Sequence, residues 1–143
     1  PVKSQLFQLL TRKDGRCGTT AQDIPGTLAG NWFYGNARAD MGGDWDKYLS
    51  FAADSQDPAI AAISIGGIFT PVGVWRFAPR SAGLVNRAFR EVTADGNVYC
   101  YEDEKIVGRI LVRLESATRL QIERQTLTCR DRLAFVNPTM YER

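Results

Sequence analysis

Among the side chains able to do covalent or acid–base chemistry are three cysteines (Cys17, Cys100 and Cys129) and 16 Asp and Glu residues, and there is no histidine. That absence removes Ser-His-Asp and Cys-His catalysis, His-ligated zinc and His-ligated haem together. No two cysteines are near enough in sequence for a CxxC metal or redox site. Cys100 lies in an aromatic, strand-like run with no base beside it, the setting of an inert thiol. Cys17 and Cys129 both stand in polar, turn-like surroundings. The expected disulfide is therefore Cys17–Cys129, closing a long loop that ties the two ends of the domain together.

Hydrolysis by paired carboxylates needs two of them about 5–9 Å apart in a cleft. Here the acids fall almost entirely in turn-like segments, where nothing raises a pKa, so binding rather than catalysis is the expected function. Asp40, Asp44 and Asp46 share a Gly-containing loop with the short oxygen spacing that calcium favours, but the EF-hand order and its terminal Glu are missing. An Asp-rich turn is the expected role of that loop. No Gly-rich segment matches a phosphate-binding or dinucleotide fingerprint. No metal and no cofactor are expected.

The elements that must position these residues follow from hydrophobic spacing. Val2, Leu6, Leu9 and Leu10 share one helical face, which predicts a short N-terminal helix over residues 2–10, broken by Asp14-Gly15 and Cys17-Gly18. Strand-like runs follow at Asn31–Ala37, Tyr48–Ala53, Ile60–Ile65, Val72–Phe77, Phe89–Thr93, Val98–Glu102, Arg109–Glu115, Arg119–Gln125 and Leu133–Val136. Alternation is clearest where Ile110, Val112 and Leu114 oppose Arg109, Leu111 and Arg113, and where Leu120 and Ile122 oppose Arg119, Gln121 and Glu123. Asp95-Gly96 reads as a hairpin turn between Phe89–Thr93 and Val98–Glu102. Val85–Phe89 and Asp95–Tyr101 together look like a specified motif of no assigned role. No helix of a dozen residues fits between strands, so an antiparallel, all-β, up-and-down meander is predicted. Eight or nine strands must close or double over to hide their edges, and a barrel is the economical answer.

The chain has 143 residues and 15.9 kDa, which makes one domain, 1–143. With 44% hydrophobic and 24% charged residues it has a globular composition. No run approaches the roughly 18 apolar residues of a membrane-spanning helix. The net charge is +2, and neither half is strongly basic, which excludes nucleic-acid binding by backbone neutralisation. The arginines alternate with glutamates on apparent strands (Arg113, Glu115, Arg119, Glu123, Arg124), as in solvated cross-strand pairs. The chain begins at Pro1 rather than Met, in keeping with a removed leader, and a secreted or periplasmic setting is expected.

Gly30-Asn31-Trp32, after a helix-like segment and before an antiparallel meander, resembles the Gly-x-Trp signature that opens the first strand of lipocalins and related calycin barrels. The Thr-Asp-Tyr loop motif of that family is absent. The resemblance implies a closed barrel of eight to nine strands holding a small apolar ligand. It also implies that Trp32 plugs the closed end beneath a cation, for which Arg130, Arg132 and Arg143 are the candidates. Alternation then points Tyr34, Phe51, Ile65, Trp75, Phe77 and Val112 inward as ligand-binding residues. Tyr99 and Tyr101 join them if their strand faces in, and form a protein-binding patch if it faces out. Two partners are thus expected in principle: a small apolar molecule in the lumen, or a protein engaged by a filled barrel acting as an inhibitor, structural subunit or accessory domain. For the latter, the loop Ala78–Ala88 with Arg80 and Arg87 is a further contact region.

Overall fold

The period-two segments become eight strands in a computed structural model that describes residues 23–35 and 45–143. They are β1 (Gly30–Phe33), β2 (Tyr48–Ala53), β3 (Ala61–Ile65), β4 (Gly73–Phe77), β5 (Tyr99–Tyr101), β6 (Arg109–Ser116), β7 (Arg119–Gln125) and β8 (Thr139–Glu142). Two single-turn 3-10 helices, Trp45–Lys47 and Phe89–Glu91, are the only helical elements among the described residues. The predicted helix over residues 2–10 lies outside the described residues, as do Cys17, Asp40 and Asp44.

All neighbours pair antiparallel in one sheet of order β4-β3-β2-β1-β8-β7-β6-β5. The first and last strands meet in the middle, Phe33 opposite Glu142. The sheet curls strongly into a half-barrel, because one cluster of buried side chains takes members from every strand. Right-handed strand twist makes such curling the natural outcome for a long antiparallel sheet. The sheet's two ends approach closely: Phe77 at the end of β4 lies 5.2 Å from Tyr101 of β5, ring centre to ring centre.

Two predicted strands are corrected. Phe89–Thr93 is a 3-10 turn followed by loop, so Asp95-Gly96 does not join two strands. Phe89 and Val92, three apart, enter the core together, which is the spacing of a helical turn. Leu133–Val136 is irregular chain. Its alternating Leu133 and Phe135 pack on the outside of the sheet, so their period marks a loop lying on a wall. The last strand is instead β8, unforeseen because it is short, follows Pro138 and buries only Tyr141 fully.

Candidate binding surface

The interior is built from alternate residues of each strand. Trp32, Phe51, Ile63, Tyr101, Ile110, Val112, Leu120, Ile122 and Tyr141 are all fully buried. Of the residues predicted to bind a ligand, Phe51, Ile65, Trp75, Phe77, Tyr99, Tyr101 and Val112 lie together in this core. Tyr34 stands apart, half-exposed at the rim against Tyr141. Side chains fill the space between them, the second of the two expected arrangements. Phe89 packs edge-on against Phe51 and Phe77, with ring centres 5.2 and 5.6 Å away. Tyr99 and Tyr101 face inward, and their hydroxyls are engaged within the protein. Tyr99 donates to Asp95 Oδ2 at 2.7 Å and Tyr101 to the Arg87 carbonyl at 3.0 Å. Burial, reinforced by the Asp95 carboxylate, raises the Tyr99 pKa. Burial also pushes the Tyr101 hydroxyl well up.

At the end from which β1 starts, Trp32 is fully buried beneath the chain that leads into the strand. Gly30 sits at a positive φ of 122°, and a Cβ there would overlap Asp23, whose carboxylate accepts the Asn31 N–H at 2.6 Å. Trp32 donates its indole N–H to the Leu28 carbonyl at 3.0 Å. Of the three candidate cations Arg143 covers the ring, its guanidinium carbon 4.2 Å from the centre. Arg143 also donates to the carbonyls of Ala29 and Thr27 at 2.9 and 2.6 Å. Arg130 is exposed, and Arg132 offers its carbonyl to Arg109.

At the opposite end Ile68, Phe69 and Ile106 pack onto the core. Arg124 reaches across this end, over the Trp75 ring at 5.8 Å and onto the Val107 carbonyl at 2.8 Å. Beneath this cover the Tyr141 hydroxyl is buried with no hydrogen-bond partner.

The outside of β5–β7 carries a second apolar layer. Cys100 and Leu111 point outward and meet Cys129, Val85, Val98, Leu133 and Phe135. The disulfide is Cys100–Cys129, with a Cα separation of 5.8 Å, and this corrects the expected Cys17–Cys129 pairing. The misassignment arose because Cys100 was read as buried and inert. It is buried, but under the loop that carries Cys129.

Arg109, expected on a wet face, is fully buried beneath the same loop. Its guanidinium donates to Gln125 Oε1 from two nitrogens, at 2.9 and 2.6 Å, and to the carbonyls of Thr128, Asp131 and Arg132 at 2.8, 3.1 and 2.7 Å. Arg113 binds Gln121 and lies 5.7 Å over Phe135, and Glu123 accepts the Val136 and Asn137 amides. Arg113 and Glu123 thus hold a loop, whereas Arg119 keeps the expected solvated pairing, 4.0 Å from Glu115 and 3.6 Å from Glu142 on the neighbouring strand.

The outside of β2–β4 has no such layer among the described residues. Tyr48, Ser50, Ser64 and Val74 line a concavity of about 300 Å³ there, with Val72 and Trp45 on its rim. Trp45 is 72% exposed and Val72 77%. A second concavity of about 390 Å³ lies between Pro58 and Ile60 on one side and Phe89 and Arg90 on the other. Both open on the exterior. The segments Val85–Phe89 and Asp95–Tyr101, singled out in the sequence, prove to be neighbours. Asn86 N–H donates to the Cys100 carbonyl at 2.8 Å, and the Asn86 side chain pairs with the Glu102 backbone.

No helix among the described residues is long and apolar enough to cross a membrane. No known protein family, characterised protein or solved structure matches the chain.

Proposed function

We propose that this is a non-catalytic binding domain of the calycin kind, its barrel closed by side chains between β4 and β5, that engages a protein partner through the outer face of β2–β4. One observation carries the reading: the lumen is filled by buried side chains, whereas an uncharged concavity with an exposed tryptophan lies on the outer wall. Large exposed apolar side chains around a shallow hollow are the usual composition of a protein-contact centre. Among the described residues, the carboxylates whose pKa departs from the ordinary value, Asp54, Asp95 and Asp131, are all lowered, the opposite of what a general acid needs. The Cys100–Cys129 bridge supports a secreted or periplasmic setting, where disulfides persist.

A second reading, a small apolar molecule in the lumen, keeps one observation in its favour. The unpaired Tyr141 hydroxyl beneath Phe69 is a group that a ligand's carbonyl or hydroxyl would satisfy once the cover lifted. Native mass spectrometry of the protein purified from its own source separates the two. The expected result is a co-purifying partner chain, lost on Trp45→Ala. A co-purifying small molecule in its place overturns the protein-partner reading.

A further inference from the structure

The two ends of the sheet are treated differently. Cys100 of β5 turns its backbone groups outward, and the preceding loop meets both: Cys100 N–H donates to the Leu84 carbonyl, and the Cys100 carbonyl accepts from Asn86, each at 2.8 Å. That edge is covered. At β4 the hydrogen-bonding parity follows from its neighbours. Gly66 donates to Tyr48 and Asp54 to Ile60, so the even-numbered residues of β3 bond to β2. Ala61, Ile63 and Ile65 therefore bond to Phe77, Trp75 and Gly73, leaving Val74 and Arg76 to aim their N–H and C=O groups at the open edge.

Only one of these four groups has a partner among the described residues: Arg76 N–H donates to Asp103 Oδ2 at 2.9 Å, a carboxylate standing where a neighbouring strand's carbonyl would be. The devices that normally blunt an edge are missing over Val72–Val74, which has neither charge nor proline. The Arg76 guanidinium is drawn away to Asp54 at 2.8 Å. Asp103 and Glu104, beside this edge, form no ion pair among the described residues.

We infer that the open edge of β4 receives an extended segment of a partner protein by strand addition, apolar where it crosses Val72–Val74 and basic where it passes Asp103 and Glu104. Unpaired main-chain donors and acceptors recognise another main chain. The adjoining concavity takes alternate side chains of the added strand, and the charges of Asp103 and Glu104, which no cation among the described residues neutralises, select a cation at its end. The inference rests on the protein-partner reading above and specifies how the partner docks.

The test uses the isotope-labelled whole chain and a synthetic peptide alternating valine and threonine with lysines at one end. Expected are slowed exchange of the Val74 amide, by about tenfold or more, and binding lost when alternate peptide nitrogens are methylated in the register facing β4 but kept in the other register. Val74→Lys in the protein is expected to weaken binding about tenfold. The methylated peptides leave the protein untouched, so the result does not depend on that variant folding. No protection of Val74, or equal loss from methylation in either register, overturns strand addition. Protection that rises with protein concentration alone assigns the edge to a second copy and also overturns it. A co-purifying partner chain indifferent to Val74→Lys sinks strand addition and leaves the protein-partner reading standing, whereas a lumen-bound small molecule without a partner chain sinks both.

Discussion

The two halves of this sheet share one core but differ on their outer faces. Outside β5–β7, the strands carry a disulfide, a buried arginine and a loop bound by Gln125 and Glu123. Outside β2–β4 they carry serines and valine, with an aromatic residue left in the open. A strand covered on both faces commits all its side chains to stability, while one covered on a single face leaves the other available for binding. On the proposed reading, structural work falls to the C-terminal half and contact to the N-terminal half.

The seam where the halves join should be the most sensitive point. Trp32→Ala removes an indole packed between β1 and Arg143 of the C-terminal end, and a loss of about 3–5 kcal/mol is expected in chemical denaturation. A single transition would show the halves to be one cooperative unit; two would break the comparison into separate domains.

Within the covered half, Arg109→Met leaves the Thr128, Asp131 and Arg132 carbonyls without their donor, for an expected loss of about 3–4 kcal/mol. The paired replacement Cys100→Ser with Cys129→Ser opens a loop between residues 29 apart, with about 3 kcal/mol expected by melting under matched conditions. If either change is silent, the outer layer is not what holds this wall.

Acid should act near the end of the half-barrel that Trp32 fills. Burial pushes the Asp95 carboxyl up, but hydrogen bonds from the Tyr99 hydroxyl and the Asn97 amide outweigh it, and the pKa is lowered. A folded pKa below the unfolded value of about 3.9 means this stabilisation is complete above that pH and is lost as pH falls through the lower value. Asp95→Asn should therefore be less stable at neutral pH and show a flatter stability profile below about pH 4. An unchanged acid profile would remove Asp95 from the account.

The smallest effect belongs to the bare wall. Ser64→Lys points into water and should change stability by less than about 0.5 kcal/mol, while weakening a partner that sits in the outer concavity. A large destabilisation would mean that this face is covered after all.

Much of the fold was legible because it depends on local alternation. Tyr48–Ala53 and Arg119–Gln125 have their predicted bounds, and Arg109–Glu115 falls short of its strand by one residue. Trp32 was legible through its glycine, for only residue 30's freedom at positive φ admits Asp23 beside it. Arg109 and Cys100 were misread for one reason. Alternation assigned Arg109 to the outer side of the wall and left the facing of Cys100 open, and nothing in the flanking residues says that a loop some twenty to thirty positions later returns to cover that side. The edge of β4 was illegible for the same reason, since an edge exists only relative to strands that are absent beside it.

The amino-acid sequence alone determined an antiparallel all-β meander and, for most of its strands, the side that faces inward, because those properties reside in a few neighbouring residues. Only the tertiary structure decided which arginine covers Trp32, that Cys129 pairs with Cys100, that the lumen is filled and that no described strand flanks β4 on its outer edge. Each of these depends on where distant segments come to rest, and the short-range spacing of side chains carries no record of that.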